Sequence, residues 1–168
     1  AVVTEARRLE RMLSNLLQLT RVETGLVPQR EWVPLDELVG AALTRLETVL
    51  GTTAITVAVG ELEIEVDPVL FELVLVNLIE NAVKHGTPPI AITAARRGDR
   101  IAIEIADHGV GVAAADRERV FDKFYRASTA PGAGLGLAVV RAIVVAHGGA
   151  ATVDGARFTV ELPAAVTA

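Results

Sequence analysis

Apolar residues recur at helical spacing over the first two dozen positions. Leu9, Met12, Leu13, Leu16, Leu17 and Leu19 form a stripe, while Glu5, Arg7, Arg8, Glu10 and Arg11 fall mostly outside it. The spacing predicts one amphipathic helix over 1–24, with Gly25 able to cap its end and Pro28 blocking continuation. So leucine-rich a leading helix needs a partner. That partner is either the rest of the chain or, the reading favoured here, the other arm of a helical hairpin lying outside this sequence.

From Gln29 the period changes. "REWV" reads as a short strand, 34–50 as a helix with Pro near its start and Gly51 after its end, and "AITVAV" and "LEIEV" as strands. Asp67-Pro68 supplies an N-cap and a first-turn proline for a long helix over 67–85. "IAITAARR" and "RIAIEIAD" alternate with period two on either side of Gly98-Asp99, the pattern of a hairpin. Residues 108–133 are punctuated by Gly, Ala and Pro and read as a mobile segment. A helix is expected over 134–147, closed by Gly148-Gly149, and "ATV" and "ARFTVEL" are strands turning at Asp154-Gly155. The sum is an α/β sandwich: one mixed, mainly antiparallel sheet with three helices on one face, preceded by the leading helix. The expected division is 1–25 and 26–168.

Composition narrows the chemistry. The chain has 168 residues, is 51% hydrophobic and only 4% aromatic, and so has an aliphatic core. A net charge of -5 gives no general attraction to nucleic acid or anionic lipid, so phosphate binding would need a local site. Without cysteine there can be no disulfide and no thiol chemistry. No apolar run is long enough to span a bilayer, and no secretory leader is evident, so the chain reads as a cytosolic piece. It opens in mid-pattern without Met, as an excised fragment would.

Four clusters carry chemistry. On the helix 67–85, Asn77, Asn81 and Lys84 fall on a narrow stripe at roughly 100° per residue, flanked by Glu80 and His85, among otherwise apolar neighbours. Polar groups in such a setting are costly without partners. An Asn oxygen can ligate Mg2+, and a Lys can meet phosphate; a merely solvated face would not favour two mid-helix Asn. Asp107-His108-Gly109-Val110-Gly111 follows an apolar strand, with a carboxylate able to accept from an exocyclic amine and Gly109 and Gly111 allowing close approach of a flat ring. Phe121, Phe124, Tyr125 and Arg126 hold three of the chain's five Phe and Tyr residues and would anchor a loop. Gly132-Ala133-Gly134-Leu135-Gly136-Leu137 runs into a helix, where backbone N–H groups can cradle an anion; no Lys-Ser/Thr follows, so it is not a P-loop.

In this order, "NLIENAVKH", "DHGVG", "FDKFYR" and "GAGLGLAVV" resemble the N, G1, F and G2 boxes of the catalytic, ATP-binding domain of sensor histidine kinases, within the GHKL superfamily and its Bergerat fold. The resemblance covers about residues 5–163. "NLLQLTRVETGLVPQREW" resembles the end of that family's dimerisation hairpin, and "REWVPLDELVGAAL" and "PGAGLGLAVVRAIVVAHGG" resemble its potassium-responsive branch. The resemblance implies a protein-histidine kinase in potassium or osmotic signalling. Its cofactors would be ATP and Mg2+. Its partners would be the dimerisation domain bearing the acceptor His, a response regulator, and a second copy in a full-length homodimer anchored in the bacterial inner membrane by other segments. Asn81 would ligate Mg2+, Lys84 and Asn77 would serve transfer, and His85 would sit at the ribose-phosphate edge. Asp107 would bind the adenine amine beside Gly109 and Gly111. Phe121, Phe124 and Arg126 would belong to the lid, and Gly132, Gly134, Leu135, Gly136 and Leu137 to the phosphate cradle. Hydrolytic relatives carry Glu where Asn77 stands, and Asn is a poor base for activating water. Three departures stand out: no acceptor box surrounds His85, His108 or His147, the lid after Arg126 is short, and so is the turn "VDGAR". A hydrolytic ATPase, a non-catalytic ATP-binding module and a serine kinase of the same superfamily are the rival readings.

Overall fold

The alternation in "RIAIEIA" buries Ile101, Ile103 and Ile105 on one face of a strand that becomes the centre of a sheet. The computed structural model describes residues 1–126 and 134–164. Its elements are α1 (Val2–Glu23), β1 (Glu31–Pro34), α2 (Leu35–Arg45), α3 (Glu47–Leu50), β2 (Ile55–Ala58), β3 (Glu63–Val66), α4 (Pro68–His85), β4 (Ile90–Arg97), β5 (Arg100–Ala106), α5 (Gly136–Ala146), β6 (Ala150–Asp154) and β7 (Arg157–Pro163). Two single-turn 3-10 helices, Ala114–Asp116 and Arg119–Phe121, lie in the stretch that the sequence reads as mobile.

Five strands form one sheet in the order β2-β4-β5-β7-β6, parallel only between β2 and β4. α4 and α5 cover it and α2 packs beside α4, so the α/β sandwich stands. Three details differ from the expectation. β1 and β3 do not join the large sheet but pair antiparallel in a ribbon of their own. β1 ends at Pro34, and β3 runs through Asp67 into Pro68, so a proline without an N–H stops each strand where a helix begins. The helix expected over 34–50 is two: Leu46 is buried, its N–H bonds both Ala42 O and Leu43 O, and the tightened turn separates α2 from α3. α5 begins two residues late because Gly134 has φ +69, outside the right-handed helical region.

α1 lies against α5, and its apolar stripe is divided. Leu19 is buried and Met12 and Val22 are partly buried against the core, but Leu9, Leu13, Leu16 and Leu17 stay exposed. Ion pairs flank the contact: Lys123 Nζ lies 2.5 Å from Glu23 Oε1, and Arg11 pairs with Glu80.

The antiparallel register of α4 and α5 is pinned at both ends. At one end Asp67 caps α4 by accepting from the N–H groups of Val69 and Leu70, both at 3.2 Å. Its own N–H donates to His147 Nε2 at 3.0 Å, and His147 Nδ1 donates to Ile143 O at 2.7 Å. At the other end Asn77 meets Gly136: a Cβ added there would lie 2.8 Å from Asn77 Oδ1. Asp67 and Asn77 are ten residues apart, Gly136 and His147 eleven, so the spans match to within one residue, about 15 and about 16.5 Å at 1.5 Å per residue. The linker from α1 is tied to the first pin, with Gln29 N–H on Asp67 Oδ2 at 2.9 Å and Arg30 on Ala146 O at 3.0 Å.

With both ring nitrogens engaged, His147 is held neutral. Burial lowers its pKa below the ordinary 6.5, and the Arg30 charge adds to this. In the unfolded chain it takes up a proton first as pH falls, so its contribution is present above pH 6.5 and is lost as pH drops from there towards the folded value. His85 is shifted the same way. Thermal unfolding is therefore expected to show a falling midpoint between pH 7 and 5. The slope should be shallower, though not abolished, in His147→Gln, which is checked by calorimetry across that range.

Candidate functional site

The C-terminal half of α4 carries the first group of site residues. Asn77 is buried because α5 covers it, and its Nδ2 donates to Leu73 O at 2.9 Å, which fixes the amide. One turn on, Asn81 is half-buried, and Lys84 and His85 are exposed at the helix end. Lys84 Nζ lies 2.6 Å from Glu80 Oε1. Although the residue as a whole is exposed, partial desolvation of its ring lowers the His85 pKa, and the charges of Lys84 and Arg126 lower it further, which favours the neutral ring. Among the described residues no group of three His, Asp or Glu side chains could hold a metal ion by itself.

Beyond α4 the chain turns back at Gly86 and meets the end of β5. Asp107 Oδ1 accepts from Gly109 N–H at 2.6 Å and Thr87 N–H at 3.1 Å. No protein donor reaches Oδ2 among the described residues, so one carboxylate oxygen is fixed and the other is available. Gly86 makes room for that carboxylate: a Cβ there would lie 2.3 Å from Asp107 Cγ. His108 N–H donates to Thr87 O at 2.8 Å, closing the turn. Gly111, with φ +70, lets this turn meet the β6–β7 turn, since a Cβ on it would lie 2.1 Å from Gly155 C. Val112 N–H to Gly155 O at 2.8 Å and Asp107 N–H to Ala156 O at 3.1 Å complete the contact. The short "VDGAR" turn is thus the seat of the Asp107 loop.

The aromatic cluster divides. Phe121 is buried edge-on to Phe158, with ring centroids 6.2 Å apart, and so anchors the segment to the sheet. Tyr125 donates to Asp116 Oδ1 at 2.6 Å and lies under Arg119. Phe124 is exposed, adopts φ 63, and donates its N–H to Gly134 O at 2.8 Å, so the Phe124 and Gly134 backbones touch. Leu135 is buried and Gly136 begins α5 over Asn77. Gly132 and the rest of the expected lid over 127–133 lie outside the described residues.

All four clusters therefore meet along α4: Asn77 lies under Gly136, His85 feels the Arg126 charge, and Gly86 adjoins Asp107 and Gly109. Sequence alone does not mark Thr87, Gly86 or Arg11 as site residues; only Gly86 carries a local signal, as a glycine just after a polar helix end.

Residues 66–166 match the family described as histidine kinase-, DNA gyrase B- and HSP90-like ATPase. The chain belongs to this ATPase family. Within it, the chain is similar to the ATP-binding parts of sensor histidine kinases. It is 41% identical over 166 residues to the Sensor protein KdpD of Escherichia coli (strain K12), covering 91% of this chain and 18% of that protein. It is 33% identical over 183 residues to the Sensor-like histidine kinase SenX3 of Mycobacterium bovis (strain ATCC BAA-935 / AF2122/97), covering 99% of this chain and 45% of that protein. The chain thus spans less than half the length of these curated relatives. Among solved structures it resembles the mycobacterial sensor histidine kinase MprB, with a TM-score of 0.73 and 28% identity over 80% of this chain and 97% of that one. Full-length ShkA, solved in complex with AMPPNP, gives a TM-score of 0.80 and 27% identity over 95% of this chain and 36% of that one.

Proposed function

We propose that this chain binds Mg-ATP and transfers the γ-phosphoryl group to a histidine on a dimerisation hairpin, whose second helix ends in residues 1–25, with 26–168 as the catalytic unit. The observation that carries transfer over hydrolysis is Asn77. Its amide is tied to Leu73 O, and it offers no base to a water molecule. In this reading Asp107 Oδ2 accepts from the adenine amine, and Gly109 and Gly111 let the ring approach. Lys84 and Arg126 supply positive charge to the phosphates, and neutral His85 lies at the ribose-phosphate edge. The N–H groups at the start of α5, from Gly134 to Leu137, form the anion cradle. Phe121 and Phe124 brace the segment leading to it.

The donor set fits Mg2+. With no carboxylate cluster among the described residues to replace its waters, the ion would be held by Asn81 together with phosphate oxygens, as suits a cation that dehydrates reluctantly; when bound it would neutralise phosphate charge. The acceptor imidazole nitrogen forms the N–P bond while the bond from phosphorus to the β–γ bridging oxygen breaks and ADP leaves, so positioning and charge do the catalytic work. The AMPPNP complex of ShkA supports the ATP assignment. The exposed leucines of α1 fit the other arm of such a hairpin and a second copy in a homodimer. The onward partner is a response regulator aspartate, and the whole protein is anchored in the bacterial inner membrane with this part in the cytoplasm. No helix among the described residues is long and apolar enough to cross a membrane.

The test mixes the purified chain, a separately purified hairpin carrying the acceptor His, and γ-radiolabelled Mg-ATP. Label is expected on the hairpin histidine, with little phosphate released in its absence. Label on the chain itself, or rapid phosphate release without hairpin, would overturn the kinase reading in favour of the hydrolase.

A further inference from the structure

Glu80 sits between two cations from opposite directions. From its own helix, Lys84 Nζ reaches Oε1 at 2.6 Å; from α1, Arg11 reaches the same Oε1. Glu80 is the least accessible of the three, its side chain 15% exposed against 43% for Lys84 and 51% for Arg11. A single carboxylate charge is therefore divided between two donors on one oxygen. Any cation that binds there weakens the hold on the other, and the partial burial of Glu80 limits screening by solvent.

We infer that Glu80 is a positioning residue for Lys84 and that Arg11 of α1 governs how firmly it holds. With Arg11 seated, part of the Glu80 charge is neutralised, and the Lys84 ammonium is the freer to leave for phosphate. With Arg11 withdrawn, the full carboxylate charge falls on Lys84, and phosphate must compete with it. The position of α1 along the catalytic unit is then read out as nucleotide affinity through one shared oxygen. This inference rests on the assignment of Lys84 to the phosphates.

The experiment measures MgATP and adenosine affinities calorimetrically for the chain and its Arg11→Ala, Arg11→Lys, Glu80→Gln, Lys84→Ala and Arg11→Ala/Glu80→Gln variants. Arg11→Ala is expected to weaken ATP by about threefold, the scale of a partly exposed ion pair, with adenosine unchanged because it has no phosphate for Lys84 to meet. Arg11→Lys should lie near the wild type. Glu80→Gln should bind ATP at least as tightly as the wild type, and in that background Arg11→Ala should have no further effect. An equal loss with and without Glu80 would mean that Arg11 acts by long-range attraction alone and would overturn the inference, as would an equal loss for adenosine. Lys84→Ala binding ATP like the wild type would overturn the phosphate role of Lys84 and the inference with it. Failure of the wild type to bind either ligand would overturn the nucleotide reading itself.

Discussion

Replacing Asp107 with Asn is expected to weaken ATP and ADP on the order of a hundredfold while leaving the thermal midpoint close to that of the parent. The geometry separates the two effects. Oδ1 is occupied by the N–H groups of Gly109 and Thr87 and holds the turn, and an Asn carbonyl oxygen in that place keeps both bonds. Oδ2 has no protein donor among the described residues, so the substitution changes the chemistry only on the side where a ligand would bind. There an acceptor becomes an NH2 donor facing the donor of an adenine amine. Loss of a hydrogen bond to a charged group is worth about 1.5–3 kcal/mol, or roughly tenfold to 150-fold, and the donor–donor clash adds to it. The parent should discriminate against GTP, whose O6 acceptor would face the carboxylate. Calorimetric titration of both proteins with ATP and GTP is the check; unchanged ATP affinity in the variant would remove Asp107 from the adenine site.

Asn81→Ala is expected to reduce transfer to the hairpin histidine by about two to three orders of magnitude, the scale seen when a group that stabilises developing charge is removed. Asn81 is the half-buried amide on the Lys84 stripe, and among the described residues no group of three carboxylate or His side chains could hold the ion in its place. The neighbouring Asn77→Ala should behave differently. Its amide is already bonded to Leu73 O and packed under Gly136, so its loss should slow transfer by roughly tenfold with a smaller change in ATP affinity. Single-turnover labelling of the hairpin, with ATP affinity measured in parallel, distinguishes the two. Equal and small effects from both variants would take the metal-ligand role away from Asn81.

The elements that sequence alone made legible are those whose signal is local. Asp67-Pro68 starts α4 at the expected residue because capping is a contact within one turn. The β4–β5 hairpin turns at Gly98 and Asp99 because alternation and turn chemistry agree there. What was not legible depends on distant partners. Whether β1 and β3 join the main sheet is decided by which edges meet after collapse, not by their four-residue patterns. The break at Leu46 arises from a core that draws one leucine inward. In the site, the Asn stripe, Asp107 and the glycines could be named from residue type and spacing. The sharing of Glu80 between Lys84 and Arg11 could not, because 69 residues separate Arg11 from Glu80. Nor could the division of the aromatic cluster, where Phe121 enters the core while Phe124 turns out with φ 63.

The two pins between α4 and α5 set a rule for insertions and deletions. One residue added to α4 between Asp67 and Asn77 would advance the helix by about 1.5 Å and rotate everything beyond it by roughly 100°. Asn77 could then no longer face Gly136 while Asp67 still met His147, so one end of the register would have to give way. The same holds for α5 between Gly136 and His147. The spacing within each helix is thus a ruler cut to the other, and homologous chains that keep both pins can change length only outside these two spans, at turns such as Gly98-Asp99.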